Sequence, residues 1–120
     1  VTNLLKETIE VLKEHGKTLK DIEWIGSEDG YITLETFKKL ADTYYDAGYG
    51  AAEVAQDLLI VGKDFYMTRG EYDGSEWWNY HSMDLFKKPD NELKVIRLTS
   101  GMWNTLKDMQ YEDKYYYWND

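Results

Sequence analysis

The sequence predicts an α+β fold: an antiparallel sheet with a central β-hairpin, covered by helices. Three observations carry this. Asp73-Gly74 separates two runs, Phe65 to Tyr72 and Ser75 to His81, which is a strong short-range signal for a hairpin with a two-residue type I′ turn. Two stretches in the first half carry apolar residues at helical spacing. The expected elements run α, β, α, β-β-β, β, α, an order that suits an antiparallel sheet with helices packed on it. At 120 residues the chain is expected to be one domain, 1–120, around one core, with no internal repeat or long linker to divide it.

The first helix is expected from Thr2 to His15. Leu4, Leu5, Ile9, Val11 and Leu12 share one side, Thr2 can cap the start, and Gly16 suits the position after the end. Lys6, Glu7, Glu10, Lys13 and Glu14 form the solvated face, and His15 reads as a helix-end cation or a bystander. Thr18 to Asp21 reads as a turn or short helix, Ile22 to Ile25 as a short strand, and Ser27 to Gly30 as a turn. Thr33 is expected to cap a second helix, Leu34 to Ala47, which spaces Phe37, Leu40, Ala41, Tyr44 and Tyr45 along one face and ends at Gly48. Ala52 to Gln56 suits one helical turn. Leu58 to Val61 is a continuous apolar run and reads as a buried strand.

After the hairpin, Asp84 to Asn91 holds the single proline and reads as a loop. Leu93 to Leu98 predicts a further strand. Ser100 is expected to cap a last helix, Gly101 to about Gln110, presenting Trp103, Leu106 and Met109. The aromatic tail Tyr115 to Trp118 reads either as a docked last strand or as a sticky end. The expected core is Leu5, Ile9, Leu12, Trp24, Phe37, Leu40, Leu58, Ile60, Val95 and Trp103, the apolar positions at consistent spacing.

The turn at Asp73-Gly74 fixes a register. Tyr72 faces Ser75, Glu71 faces Glu76, Gly70 faces Trp77, Arg69 faces Trp78 and Met67 faces Tyr80. Trp77 over Gly70 is sensible, since an indole covers bare backbone. Glu71 opposite Glu76 is not, because directly opposed like charges destabilise a ladder. A local rule broken without local gain marks a place to look for function.

Composition limits the function classes. Fourteen basic residues stand against 23 acidic ones, a net of −9, so direct binding to nucleic-acid phosphates is disfavoured. The charge is uneven. Residues 41–86 hold nine carboxylates against Lys63 and Arg69, a net of −7. Such a block steers a basic partner, or simply confers solubility. The 19 aromatic residues exceed what a core of this size needs; partly exposed Tyr and Trp suit a binding surface or one Tyr-rich sheet face. Cysteine is absent, which excludes disulfides, thiol catalysis and thiolate metal sites and fits a reducing cytoplasm. Nothing reads as a signal peptide or a membrane span.

Catalytic signatures are weak. Ser82 beside His81 is only a neighbour pair, zinc lacks ligands, and no calcium or phosphate loop is completed. No cofactor, metal or catalytic residue is expected. The best enzyme reading pairs Glu71 with Glu76 as acid and base, with Trp78 and Tyr80 as a sugar-stacking platform. The same residues suit another task better, because carboxylates beside aromatics accept guanidinium groups by hydrogen bonds and cation–π contact. The expected partner-binding residues are therefore Glu71, Tyr72, Asp73, Glu76 and Trp78.

Three stretches, Thr18 to Gly26, Tyr45 to Phe65 and Glu71 to Trp78, resemble a family of small phage and mobile-element proteins of Gram-positive bacteria. The resemblance covers roughly residues 15–80 and implies an accessory protein acting in the host cytoplasm. Anti-CRISPR inhibitors are one class of such proteins. The leading expectation is a non-enzymatic protein that binds and inhibits or modulates a basic, nucleic-acid-handling host protein. The alternatives are a phage structural or assembly protein and a small carboxylate-dependent hydrolase.

Overall fold

The computed structural model describes residues 1–48, 50–83 and 86–112. They form an α+β fold with two helices, a five-stranded antiparallel sheet and a two-stranded ribbon. The elements are β1 (Thr2–Asn3), α1 (Leu4–Glu14), β2 (Ile22–Ser27), β3 (Gly30–Ile32), α2 (Leu34–Ala41), β4 (Tyr44–Tyr45), β5 (Leu59–Gly62), β6 (Tyr66–Tyr72) and β7 (Ser75–His81). The large sheet runs β3-β2-β5-β6-β7, so the hairpin β6–β7 forms one end of it, and β7 is an edge strand.

The hairpin has the register that Asp73-Gly74 dictates, from Tyr72 opposite Ser75 to Tyr66 opposite His81. Both turn residues have positive φ, 52° at Asp73 and 88° at Gly74, the backbone a type I′ turn demands. Trp77 lies over Gly70: a Cβ there would stand 2.6 Å from the indole nitrogen.

α1 begins later than the sequence suggests. Thr2 and Asn3 pair with Tyr45 and Tyr44, so the cap is Asn3, whose side chain accepts the Lys6 amide. Its end is as expected: the amides of Gly16 and Lys17 bond the carbonyls of Lys13 and Leu12, with Gly16 at φ 73°. The helix is rotated relative to the expected stripe. Leu4, Thr8 and Leu12 are the buried positions, and Ile9 lies to the side, 40% exposed. Glu7, expected in water, is turned inward.

α2 starts at its Thr33 cap but stops at Ala41, six residues short of the expected end. The cause is the same ribbon: pairing with β1 draws Tyr44 and Tyr45 out of the helix, and the side chain of Asn3 donates to Asp42. Ala52 to Gln56 forms no helical turn.

The core lies between the two helices and one face of the sheet. Ile32, Ile25, Ile60 and Met67 follow one another across adjacent strands on that face. Leu12, Phe37, Leu58, Ile60 and Val95 are buried in the core as expected, Trp24 is buried on the opposite face of the sheet, and Leu5 and Leu40 pack against the core in part. Trp103 is exposed instead; it sits at φ 62° with its amide bonded to the Ala52 carbonyl.

The last described segment departs most. Leu93, Val95 and Leu98 are buried, yet 93–98 is not a strand. Among the described residues its ladder-like contact is at its start, where the Tyr31 amide donates to Asn91 and the Leu93 amide to Tyr31, covering the free edge of β3. The expected helix 101–110 is reduced to a 3-10 turn, Lys107–Gln110. Ser100 and Trp103 both have positive φ, which a helix excludes. The tail Tyr115 to Trp118 and part of the 84–91 loop lie outside the described residues. No helix among the described residues is long and apolar enough to cross a membrane.

Candidate functional site

On β6 and β7, side chains alternate between the core face and the open face. Met67, Arg69, Glu71, Glu76, Trp78 and Tyr80 share the core-side face. Glu71 and Glu76 are opposite each other, as the sequence predicts, but their carboxylates go to different partners.

Glu76 turns into the protein. Its Oε2 accepts the Glu53 amide at 2.6 Å, and its Oε1 accepts the Val54 amide at 3.2 Å and Arg69 Nη2 at 3.3 Å. Arg69 itself is buried, with 3% of its side chain exposed. Its Nη2 also donates to the Tyr45 hydroxyl at 3.0 Å, and its Nη1 pairs with Glu7 Oε2 at 3.5 Å. The Tyr45 hydroxyl donates in turn to Glu7 Oε1 at 2.5 Å. Burial pushes the Tyr45 hydroxyl well above its usual pKa, so it remains a donor.

The guanidinium lies 4.7 Å from the centre of the Trp78 ring, a cation–π contact in a desolvated place. Trp78 donates its indole N–H to Thr8 Oγ1 at 2.9 Å, and Thr8 donates to the Leu4 carbonyl at 2.8 Å. This network joins α1, β4, β6, β7 and the 53–54 segment. Arg69 Nε has no hydrogen-bond partner among the described residues, so the site leans on charge pairing and ring contact more than on complete hydrogen bonding.

Glu71 turns the other way. Its Oε2 accepts the Gly74 amide at 3.2 Å and the side chain stays exposed. Tyr72 is 76% exposed, and Asp73 is exposed at the turn. Of the five residues expected to bind a partner, the structure therefore places Glu71, Tyr72 and Asp73 at the surface. Glu76 and Trp78, each 6% exposed, are turned into the core. Their accessibility is the correction, and Arg69 is its physical reason: a buried cation draws a carboxylate and an indole face to itself. Trp77, on the opposite face and 38% exposed, is the accessible tryptophan of the pair. The Glu71–Glu76 pair opens onto no common space, because 2% of the Glu76 side chain is exposed.

The tip is bordered by further acids. The Glu76 amide bonds the Ala47 carbonyl and Gly48 bridges Ser75, which fixes the 46–48 loop beside the start of β7. Burial, then the nearby charges of Glu76 and Asp46, pushes the Glu53 carboxyl up. Among the described residues no group of three or more His, Asp or Glu is placed to hold a metal ion. His81 is engaged with Thr68 Oγ1 and stacks on Tyr66.

Reasoning from sequence missed Arg69, Glu7, Tyr45 and Thr8. One signal was present: Arg69 is one of two bases in an acidic block and faces a tryptophan across the hairpin. Comparison with known proteins adds no constraint, as no family model, no curated protein and no solved structure matches the chain.

Proposed function

We propose that the protein is a non-enzymatic binding protein whose hairpin tip engages a basic surface on a host nucleic-acid-handling protein. The observation that supports this is the exposed trio Glu71, Tyr72 and Asp73, presented on a turn that the buried Arg69–Glu76 pair anchors from beneath. An aromatic side chain between two carboxylates suits a lysine or arginine, which takes both the charge and the ring face. Asp46 and Glu53 extend the negative field, and the raised pKa of Glu53 means that negative charge there gains from an arriving cation. A phage or mobile-element accessory role in the host cytoplasm, as an inhibitor of the anti-CRISPR class, is the finer reading; the resemblance noted above supports it.

Affinity capture from a Gram-positive host lysate, followed by a salt series, tests the proposal. The expected outcome is a basic, nucleic-acid-binding protein retained at low salt and released at high salt. Glu71→Gln with Asp73→Asn should weaken binding more than about tenfold, since breaking desolvated charge contacts costs about 2–5 kcal/mol. Tyr72→Ala should weaken it further. Normal binding by the double variant at every salt concentration overturns the tip as the contact.

A second reading, self-assembly, is favoured by the exposure of Tyr44, Met102 and Trp103. A discrete oligomer in sedimentation without any captured partner would favour it.

A further inference from the structure

The open face of the sheet contains a cleft of about 340 Å³, within the size range of small-molecule sites. Alternation in β2, β5 and β6 puts Trp24, Leu59 and Thr68 on this face, away from the core row Ile25–Ile60–Met67. One wall is the 56–58 segment that enters β5, and the other is Phe86 with Lys87. Phe86 is held edge-on to Tyr66, with ring centres 4.8 Å apart. The lining is mainly apolar, but two acidic residues, Asp57 and Glu28, belong to it.

Asp57 is half-buried. Its Oδ1 accepts the Leu106 amide at 2.7 Å, the one donor from outside its own peptide among the described residues. Burial raises its pKa. The carboxylate is thus partly stripped of water and incompletely compensated, in a cleft that Trp24 and Phe86 also line. Lys87 at the rim forms an ion pair with neither Asp57 nor Glu28. An organic cation would supply the missing charge and fill the apolar space at once.

We propose that this cleft is a small-molecule site for a primary ammonium ion carried on a flat apolar body. The ammonium sits at Asp57 and Glu28, and the ring lies against Trp24, Leu59 and Phe86. The site is separate from the hairpin tip, and its failure leaves the tip reading untouched.

The test is titration of isotope-labelled protein with 2-phenylethylammonium, 2-phenylethanol and 3-phenylpropionate, followed by amide and indole resonances. Saturable shifts at the Trp24 indole and at the Leu59 and Thr68 amides are expected with the ammonium probe. The alcohol should bind about tenfold more weakly, in keeping with the loss of one hydrogen-bonded charge pair, and the carboxylate more weakly still. Asp57→Asn keeps the acceptor for Leu106 and should weaken the ammonium probe about tenfold while leaving the alcohol unchanged. If Asp57→Asn lowers the melting temperature, Glu28→Gln, which alters only an exposed side chain, should still weaken the ammonium by a few-fold. Equal binding of all three probes, shifts confined to other surfaces, or full ammonium affinity in both variants overturns the proposal; a carboxyl that only caps the Leu106 turn gives that result.

Discussion

Glu71 and Glu76 occupy one rung of one hairpin and are the same residue type, yet they belong to different parts of the molecule. Glu76 is a buried counter-charge, held by two amides and Arg69. Glu71 is a surface carboxylate that closes its own turn. The opposition that looks unfavourable in the ladder is relieved because Arg69 takes one carboxylate inward and the Gly74 amide takes the other outward. Like charges directly opposed are thus no guide to function until their partners are known. In this hairpin the rung joins a structural half to an exposed half.

Removing the cation from the buried half should have the largest effect. Arg69→Met leaves Glu7 and Glu76 facing each other in the interior, and chemical denaturation should show a loss of about 3–5 kcal/mol. A loss below about 1 kcal/mol would mean that the network contributes little beyond packing. Glu76→Gln should come next, at about 1.5–3 kcal/mol, because it removes a charged acceptor from two amides and Arg69. Gly74→Val tests the turn between the two halves. A β-branched residue at φ 88° should destabilise by about 1–3 kcal/mol, and an unchanged melting temperature would refute the turn geometry. Glu71→Gln should change stability by no more than about 0.5 kcal/mol, as for most surface substitutions. Equal losses for Glu71→Gln and Glu76→Gln would abolish the distinction between the two sides of the rung.

The smallest effect has a definite sign. The Glu53 carboxyl is raised in the folded protein, so the native state binds more protons than the unfolded state between the ordinary carboxyl pKa and the raised one. Stability should fall as pH rises through that window. Glu53→Gln should therefore raise the melting temperature slightly at pH 7. The difference should vanish in acid below the ordinary carboxyl range, where Glu53 is neutral in both states.

The parts of the fold legible in the sequence are those fixed by short-range chemistry. Asp73-Gly74 sets the hairpin register, Gly16 ends α1, and Thr33 starts α2. What was not legible depended on partners far along the chain. Tyr44 and Tyr45 continue the apolar spacing of Leu40 and Ala41, and only their pairing with Thr2 and Asn3 shows that they leave the helix. Leu93, Val95 and Leu98 are buried, as their spacing suggests, but a spacing pattern cannot reveal that only the start of the segment meets a strand, β3 at Tyr31, and that among the described residues Val95 and Leu98 join no ladder. At the candidate site, the exposure of Tyr72 and Asp73 followed from the turn. The burial of Glu76 and Trp78 did not, because it depends on Glu7, Tyr45 and Thr8, each at least 24 residues from Arg69 or Trp78 and brought there by tertiary packing.

The irregular segment 91–112 has a consequence for how the molecule opens. It inserts Leu93, Val95, Leu98, Leu106 and Met109 into the core, while few of its amides belong to a ladder or helix. Such a segment depends on the sheet for its order, and the sheet does not depend equally on it. Amide hydrogen exchange should divide the chain accordingly, with the amides of β2, β5 and β6 exchanging only by global unfolding and those of 91–112 by a lower-energy excursion. In that excursion the edge of β3 at Tyr31 loses its cover together with the apolar surface beneath. The partly opened form is therefore the species most prone to add a foreign strand.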